Sequence, residues 1–247
     1  MEVLMQHPIW TAGVGLLLLG MLIAAGYWLF FRYLPRETIL PLLLTVVWHC
    51  AVYYVPRLFP PLFAPHAIAL PLDRKIPLWT PMSAVYLLAY VQWAINWILL
   101  AKQSRDLRSR TLAGEMLAKL FCMILFVVVP TTMTRPEIAG TGFFDRMTAW
   151  IYRLDAPTNL LPSIHCLESW VCLRVALQAK GLPRWYLPLT AVFSLLVFAS
   201  TLLVRQHVLV DLPAAILVLE LGMLLARATH FDRVFAWMEA RLRRKEA

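Results

Sequence analysis

An all-α polytopic transmembrane bundle of about seven spans is the fold this sequence predicts, on three observations. The chain is 61% hydrophobic and only 15% charged, where soluble domains carry about 25% charged residues. Its apolar residues fall in continuous runs, several of them reaching the roughly 18 residues that a membrane-crossing helix needs. Its Lys and Arg residues gather at the ends of those runs, unevenly between the two sides.

The runs place spans at about 8–31, 37–55, 79–101, 113–130, 163–180, 184–204 and 208–228. The second contains Pro41, and the fifth and seventh are short with polar residues near their starts. Alternating the loops puts fourteen basic residues on one side and seven on the other, with Lys119 and Arg174 inside spans. The positive-inside rule makes the richer side cytoplasmic. The N-terminus is then outside, the C-terminus inside, and the expected location is the cell membrane. Trp28, Trp79, Trp150 and Trp185 lie near predicted helix ends, where amphipathic rings anchor at the interface.

Residues 1–229 read as one integral membrane domain, with no internal repeat, low-complexity segment or linker. Residues 230–247 form a basic tail with Phe231, Val234, Phe235, Met238 and Leu242 at helical spacing. It reads either as a helix lying on the cytoplasmic surface or as a solvated helix. Residues 56–78 hold six prolines and exclude a regular helix. Two readings stand for them: amphipathic turns that shield an outer-face site, or a plain connection between spans, the latter favoured.

The net charge of +9 does not indicate nucleic-acid binding, because the basic residues sit at helix ends. Cys50, Cys122, Cys166 and Cys172 lie in or beside apolar helices without CxxC spacing, so neither a disulfide framework nor a zinc site is expected. No HExxH or carboxylate cluster calls for a metal, and nothing calls for a cofactor. Met1 to Pro8 contains no Lys or Arg and the first apolar run is long, unlike a cleaved signal peptide.

Three polar clusters fall at helix ends on the outer side. "TTMTRPEIAG" follows span 4 and holds Arg135. "APTNLLPSIH" opens span 5 and holds Asn159, Ser163 and His165. "RQHVLVD" lies between spans 6 and 7. His207 and Asp211 are spaced i, i+4, so a helical turn brings them to one face. A carboxylate on one imidazole nitrogen fixes the tautomer and leaves the other nitrogen free to attack. His165 supplies a second imidazole to protonate a leaving oxygen. Arg135 and Arg205 offer bidentate donors suited to a phosphoryl group. Ser163, after Pro162, suits an N-cap whose neighbouring amides help to hold an anion. The set reads as phosphoryl-transfer machinery where lipid head groups lie.

Arg135-Pro136, "NLLPSIH" and "STLLVRQHVLVD" resemble the three signature motifs of the type 2 phosphatidic acid phosphatase (lipid phosphate phosphatase) superfamily, over residues 113–228. The resemblance implies that His207 is the nucleophile of a phosphohistidine intermediate, Asp211 its partner and His165 the general acid. It also implies that Arg135 and Ser163 contact phosphate. Asn159 and Arg205 join them as phosphate-site candidates. Two cations of the family pattern are replaced, by Val128 and Thr201, with Arg205, Arg146 or Arg153 as substitutes. The spacing around Thr201 is similar to the branch containing inositol phosphorylceramide synthase and sphingomyelin synthase, which moves a phospho-head group between lipids.

The expected activity is therefore hydrolysis of a lipid phosphomonoester or polyprenyl pyrophosphate at the outer face. The partner is a phosphorylated membrane lipid. The alternative is a lipid phosphotransferase. A transporter or a catalytically inactive relative is the rival from another class. Glu115 and Lys119, at i, i+4, are expected to pair. Glu168 is assigned chiefly to helix packing, with tuning of His165 or binding of a head group as the other readings. Arg174, Glu220, His49 and His66 have no assigned partner.

Overall fold

The computed structural model describes residues 34–59 and 62–244. The described chain is all-helical apart from two short strands. Its helices are α1 (Arg36–Tyr54), α2 (Met82–Ala101), α3 (Arg105–Val128), α4 (Phe143–Leu154), α5 (Ile164–Gln178), α6 (Tyr186–Leu203), α7 (Asp211–Ala228) and α8 (Asp232–Arg244). Strands β1 (His66–Ala67) and β2 (Thr131–Thr132) pair in parallel, His66 opposite Thr131.

Among the described residues four helical stretches are long and apolar enough to cross a membrane: residues 36–58, α2, α3 and α6. A fifth arises if the bent pair α7–α8 is one span. The seven-span expectation is met only to that extent. The run at 8–31 lies outside the described residues. α5 has 15 residues, and α7 carries Asp211, Glu220 and Arg227. Pro41 does not break α1, which runs on through it.

α3 is the centre of the bundle and packs on α7, α1, α8 and α5. Its contact with α7 is the closest and depends on small residues. A Cβ added to Gly222 would sit 2.4 Å from the Gly114 carbonyl oxygen and 2.7 Å from the Ala118 nitrogen. Backbones approach this closely only where side chains are small, the usual basis of helix pairing in lipid. Outward faces are apolar: Leu88, Val91 and Ile95 on α2, Val192 and Leu195 on α6, and Leu217 and Leu224 on α7 are exposed. Charges are turned inward instead. Glu115, Lys119 and Glu168 are buried, with Lys119 Nζ paired to Glu115 and, at 2.6 Å, to Glu168 Oε1. His49 Nδ1 meets the same Glu168 oxygen at 3.0 Å. An apolar exterior with paired charges inside is how a bundle meets lipid.

Helices α6 and α7 both end on a non-glycine residue in the left-handed region, Arg205 (φ 55) and His230 (φ 56). At α6, Gln206 N–H reaches back to the Thr201 carbonyl at 2.9 Å and Arg205 N–H to that of Leu202 at 3.0 Å, the Schellman pattern. At α7 the same pattern turns the chain by 68° into α8. The tail helix is packed, not merely solvated. Phe235 is in the core, and Glu239 receives Arg108 Nε at 2.8 Å and Nη2 at 2.6 Å.

Candidate active site

Hydrogen bonds stitch the three polar clusters together although their partners lie 28 to 48 positions apart in sequence. Thr131, in the first cluster, accepts the Leu160 and Leu161 N–H groups on its hydroxyl at 2.9 and 3.1 Å. The Leu160 carbonyl then meets His207 Nδ1 at 3.1 Å. The Asp211 carbonyl accepts Ser163 N–H at 3.4 Å, which ties the start of α7 to the start of α5. Asn159 takes the left-handed conformation (φ 58) that asparagine tolerates, and its N–H bonds to the Thr131 carbonyl at 3.2 Å. Between Asn159 and α5 the Leu161–Pro162 peptide is cis.

His207 precedes α7 in a tight turn. Its Nδ1 lies 3.0 Å from Asp211 Oδ2 and 3.1 Å from the Leu160 carbonyl oxygen. Both neighbours are acceptors, so Nδ1 carries the proton and Nε2 keeps its lone pair. Asp211 is fully buried, and its Oδ2 also accepts Val208 N–H at 3.0 Å. That second contact helps to hold the carboxylate against the ring.

His165 lies in the first turn of α5, which Ser163 caps by accepting Cys166 N–H at 3.3 Å. The imidazole is enclosed by aromatic rings of α2. Tyr86 stacks on it with centroids 3.9 Å apart; Trp93 and Tyr90 meet it edge-on at 5.0 and 5.4 Å. Tyr86, Tyr90 and Trp93 stand at i, i+4 and i+7 and so share one helix face. Trp93 is held in turn by its Nε1–H, 3.3 Å from Ser169 Oγ, one turn along from His165. His165 is 7% exposed, yet its Nε2 has no hydrogen-bond partner in the protein. A buried imidazole nitrogen without a partner is costly.

Arg135 is held by Asp155 and Gln206. It donates to the Asp155 carbonyl and to Gln206 Oε1, and its guanidinium lies over the Tyr152 ring at 4.7 Å. Burial lowers its pKa from the ordinary value, with Asp155 and Tyr152 opposing that shift. The Asp155 carboxylate receives Arg57 Nη2 at 2.8 Å and the Tyr53 hydroxyl. Burial disfavours its charge, but the Arg57 guanidinium and the Tyr53 and Arg57 hydrogen bonds outweigh burial and hold its pKa below the ordinary value.

The structure brings His207, Asp211, His165, Ser163, Asn159 and Arg135 into one region. Arg205 is placed differently from the expectation of a phosphate ligand: it donates to the Asp73 and Ile76 carbonyls. The reason is that Asp73 and Ile76 of the proline-rich connection lie against the third cluster. Its buried Asp73 accepts Leu209 N–H at 2.8 Å. Thr201, where the signature has an arginine, is buried and donates to the Phe198 carbonyl at 2.8 Å. Val128, where it has a lysine, is half exposed near the end of α3.

Asp155, Arg57, Tyr53 and Gln206 went unassigned in the sequence. Gln206 lies inside the "RQHVLVD" stretch, and the aromatic face of α2 was legible in its spacing. Asp155 and Arg57 have no such signal, being 98 positions apart. Among the described residues no group of three or more His, Cys, Asp or Glu side chains is placed to hold a metal ion. No family model, curated protein or solved structure matches the chain.

Proposed function

We propose that this chain is a membrane enzyme that cleaves the phosphoryl group of a phosphorylated lipid through a phosphohistidine at His207. The observation that carries the reading is the pair of acceptors on His207 Nδ1, which leaves the Nε2 lone pair free to attack. Nε2 attacks phosphorus as the bond from phosphorus to the lipid oxygen breaks. His165, which takes up a proton once the phosphate anion lies beside it, gives that proton to the leaving oxygen. Neutral His165 then takes a proton from water as the water oxygen attacks phosphorus. The P–N bond breaks, and free phosphate and His207 are restored. Asp211 stabilises the positive charge that builds on the His207 ring, and Arg135 offsets charge on the phosphoryl oxygens.

On this reading the chain crosses the membrane seven times, with the N-terminus outside and the site among the outer head groups. The resemblance of the three clusters to the type 2 phosphatidic acid phosphatase motifs supports it. Candidate substrates are a lipid phosphomonoester and a polyprenyl pyrophosphate. A phosphotransferase is the second reading. Deep burial of His165 and Asp211 favours it, because restricting water leaves a lipid hydroxyl as the acceptor.

The test is a panel of phosphorylated lipids assayed for released phosphate, with and without an acceptor lipid, for wild type and His207→Ala. Phosphate release lost in the variant supports the hydrolase. Acceptor-dependent transfer lost in the variant supports the transferase. Flux of an intact solute across vesicles, with no phosphate chemistry in either protein, supports a transporter and removes both.

A further inference from the structure

The geometry points to Arg57 as the second guanidinium of an anion site that it forms with Arg135 around Asp155, and the anion it takes is a phosphate or phosphate ester. Arg57 follows α1, outside residues 113–228 where the signature clusters lie, so none of those clusters includes it. The inference rests on reading the His207 region as a phosphoryl-transfer centre, and it supplies a cation for the pattern positions held by Val128 and Thr201.

Four observations carry it. Asp155 binds both guanidiniums, Arg57 Nη2 through its carboxylate at 2.8 Å and Arg135 through its carbonyl. One carboxylate between two guanidiniums leaves one positive charge in excess. Second, the Nε–H groups of both Arg57 and Arg135 are buried without an acceptor. Leaving a charged N–H donor unsatisfied is costly, and two of them beside one carboxylate call for an oxyanion. Third, the Arg57 side chain is pinned: its guanidinium lies 4.1 Å from the Tyr53 ring centroid, and the Tyr53 hydroxyl donates to the same Asp155. A pinned fork loses little entropy on meeting an anion. Fourth, Gln206 joins this pair to the nucleophile. It holds Arg135 with its side chain, and His207 is the next residue. Asp155 is a positioning residue on this account: it orients the two forks without touching the phosphoryl group.

The experiment uses the full chain in lipid nanodiscs and two probes, inorganic phosphate and a hydrolysable phosphorylated lipid. Thermal upshift gives the affinity for inorganic phosphate. Lipid turnover gives KM, kcat and the inhibition constant of inorganic phosphate. Arg57→Gln is expected to weaken inorganic phosphate about tenfold or more and raise KM alike, with kcat within about threefold; Arg57→Lys is expected to recover part of the loss. A purely structural Arg57 would lower thermal stability without moving the phosphate constant. A folded Arg57→Gln whose phosphate affinity stays within about twofold of wild type overturns the inference. Should that variant not fold, Arg57→Lys decides: a threefold or larger loss of phosphate affinity supports the site, and unchanged affinity overturns it. Wild type that binds inorganic phosphate through Arg57 but turns over no lipid keeps the anion site and removes the enzyme. Wild type that turns over lipid indifferently to Arg57 keeps the enzyme and removes this site.

Discussion

His207 Nδ1 and Asp211 Oδ2 lie 3.0 Å apart although only Asp211 belongs to a helix. The i, i+4 spacing anticipated a helical turn carrying both groups. The chain instead bends at His207 and closes a turn from Val208 to Asp211, and Asp211, at the first position of α7, reaches back to Val208 N–H and the imidazole together. The carboxylate thus fixes the turn and the tautomer with one oxygen.

Asp211→Asn keeps the shape but can present an amide N–H to Nδ1, which selects the tautomer with its proton on Nε2. The expected result is a fall in kcat on the order of 10³-fold with KM changed little, measured on whichever phosphorylated lipid wild type turns over. A loss below about tenfold would show that Asp211 does not set the nucleophile.

Asp155 titrates with a sign that can be tested. Its folded pKa is below the ordinary 3.8 because Arg57 and Tyr53 overcome the effect of burial. The unfolded chain therefore binds the proton more tightly. Stability from this group is present above about pH 4 and is lost as pH falls through the folded value. Asp155→Asn should unfold at a lower temperature than wild type at pH 7, and the difference should shrink as pH drops below about 4. A gap independent of pH from 7 to 3 would contradict the Arg57–Asp155 ion pair.

Much of this site was legible because its residues sit in short local patterns. Ser163 caps α5 as its place after Pro162 suggested, and Glu115 pairs with Lys119 across one turn. Partners distant in sequence were not legible. Glu168 takes His49, 119 positions away, and Arg174 takes Glu220, 46 away, at 2.9 Å. Periodicity says which face of a helix is polar, not which helix it meets. The fate of Arg205 was hidden for the same reason: its acceptors are carbonyls of a proline-rich connection whose path no period describes.

Lys119→Met should be among the most destabilising substitutions. It strands the Glu115 and Glu168 carboxylates, both buried, without their shared ammonium. Removing one partner of a buried ion pair costs roughly 3–5 kcal/mol. Combining it with Glu115→Gln and Glu168→Gln should recover part of that loss. Thermal unfolding in detergent checks both, and a triple variant no more stable than the single one would show that loss of Lys119 does not strand the two carboxylates.

Gly222→Ala tests the α3–α7 contact. The added methyl meets backbone at 2.4 Å from Gly114 and 2.7 Å from Ala118, so the helices must separate. The expected cost is about 1–3 kcal/mol, seen as a lower unfolding temperature. An unchanged temperature would show that the two helices do not pack this closely.

The central claim is that His207 takes the phosphoryl group covalently. Wild type mixed with a lipid carrying labelled phosphate, quenched within milliseconds and digested under alkaline conditions, should yield one acid-labile labelled peptide containing His207, absent from His207→Ala. An active enzyme that leaves no label on His207 at any quench time would contradict the claim and assign the attack to water.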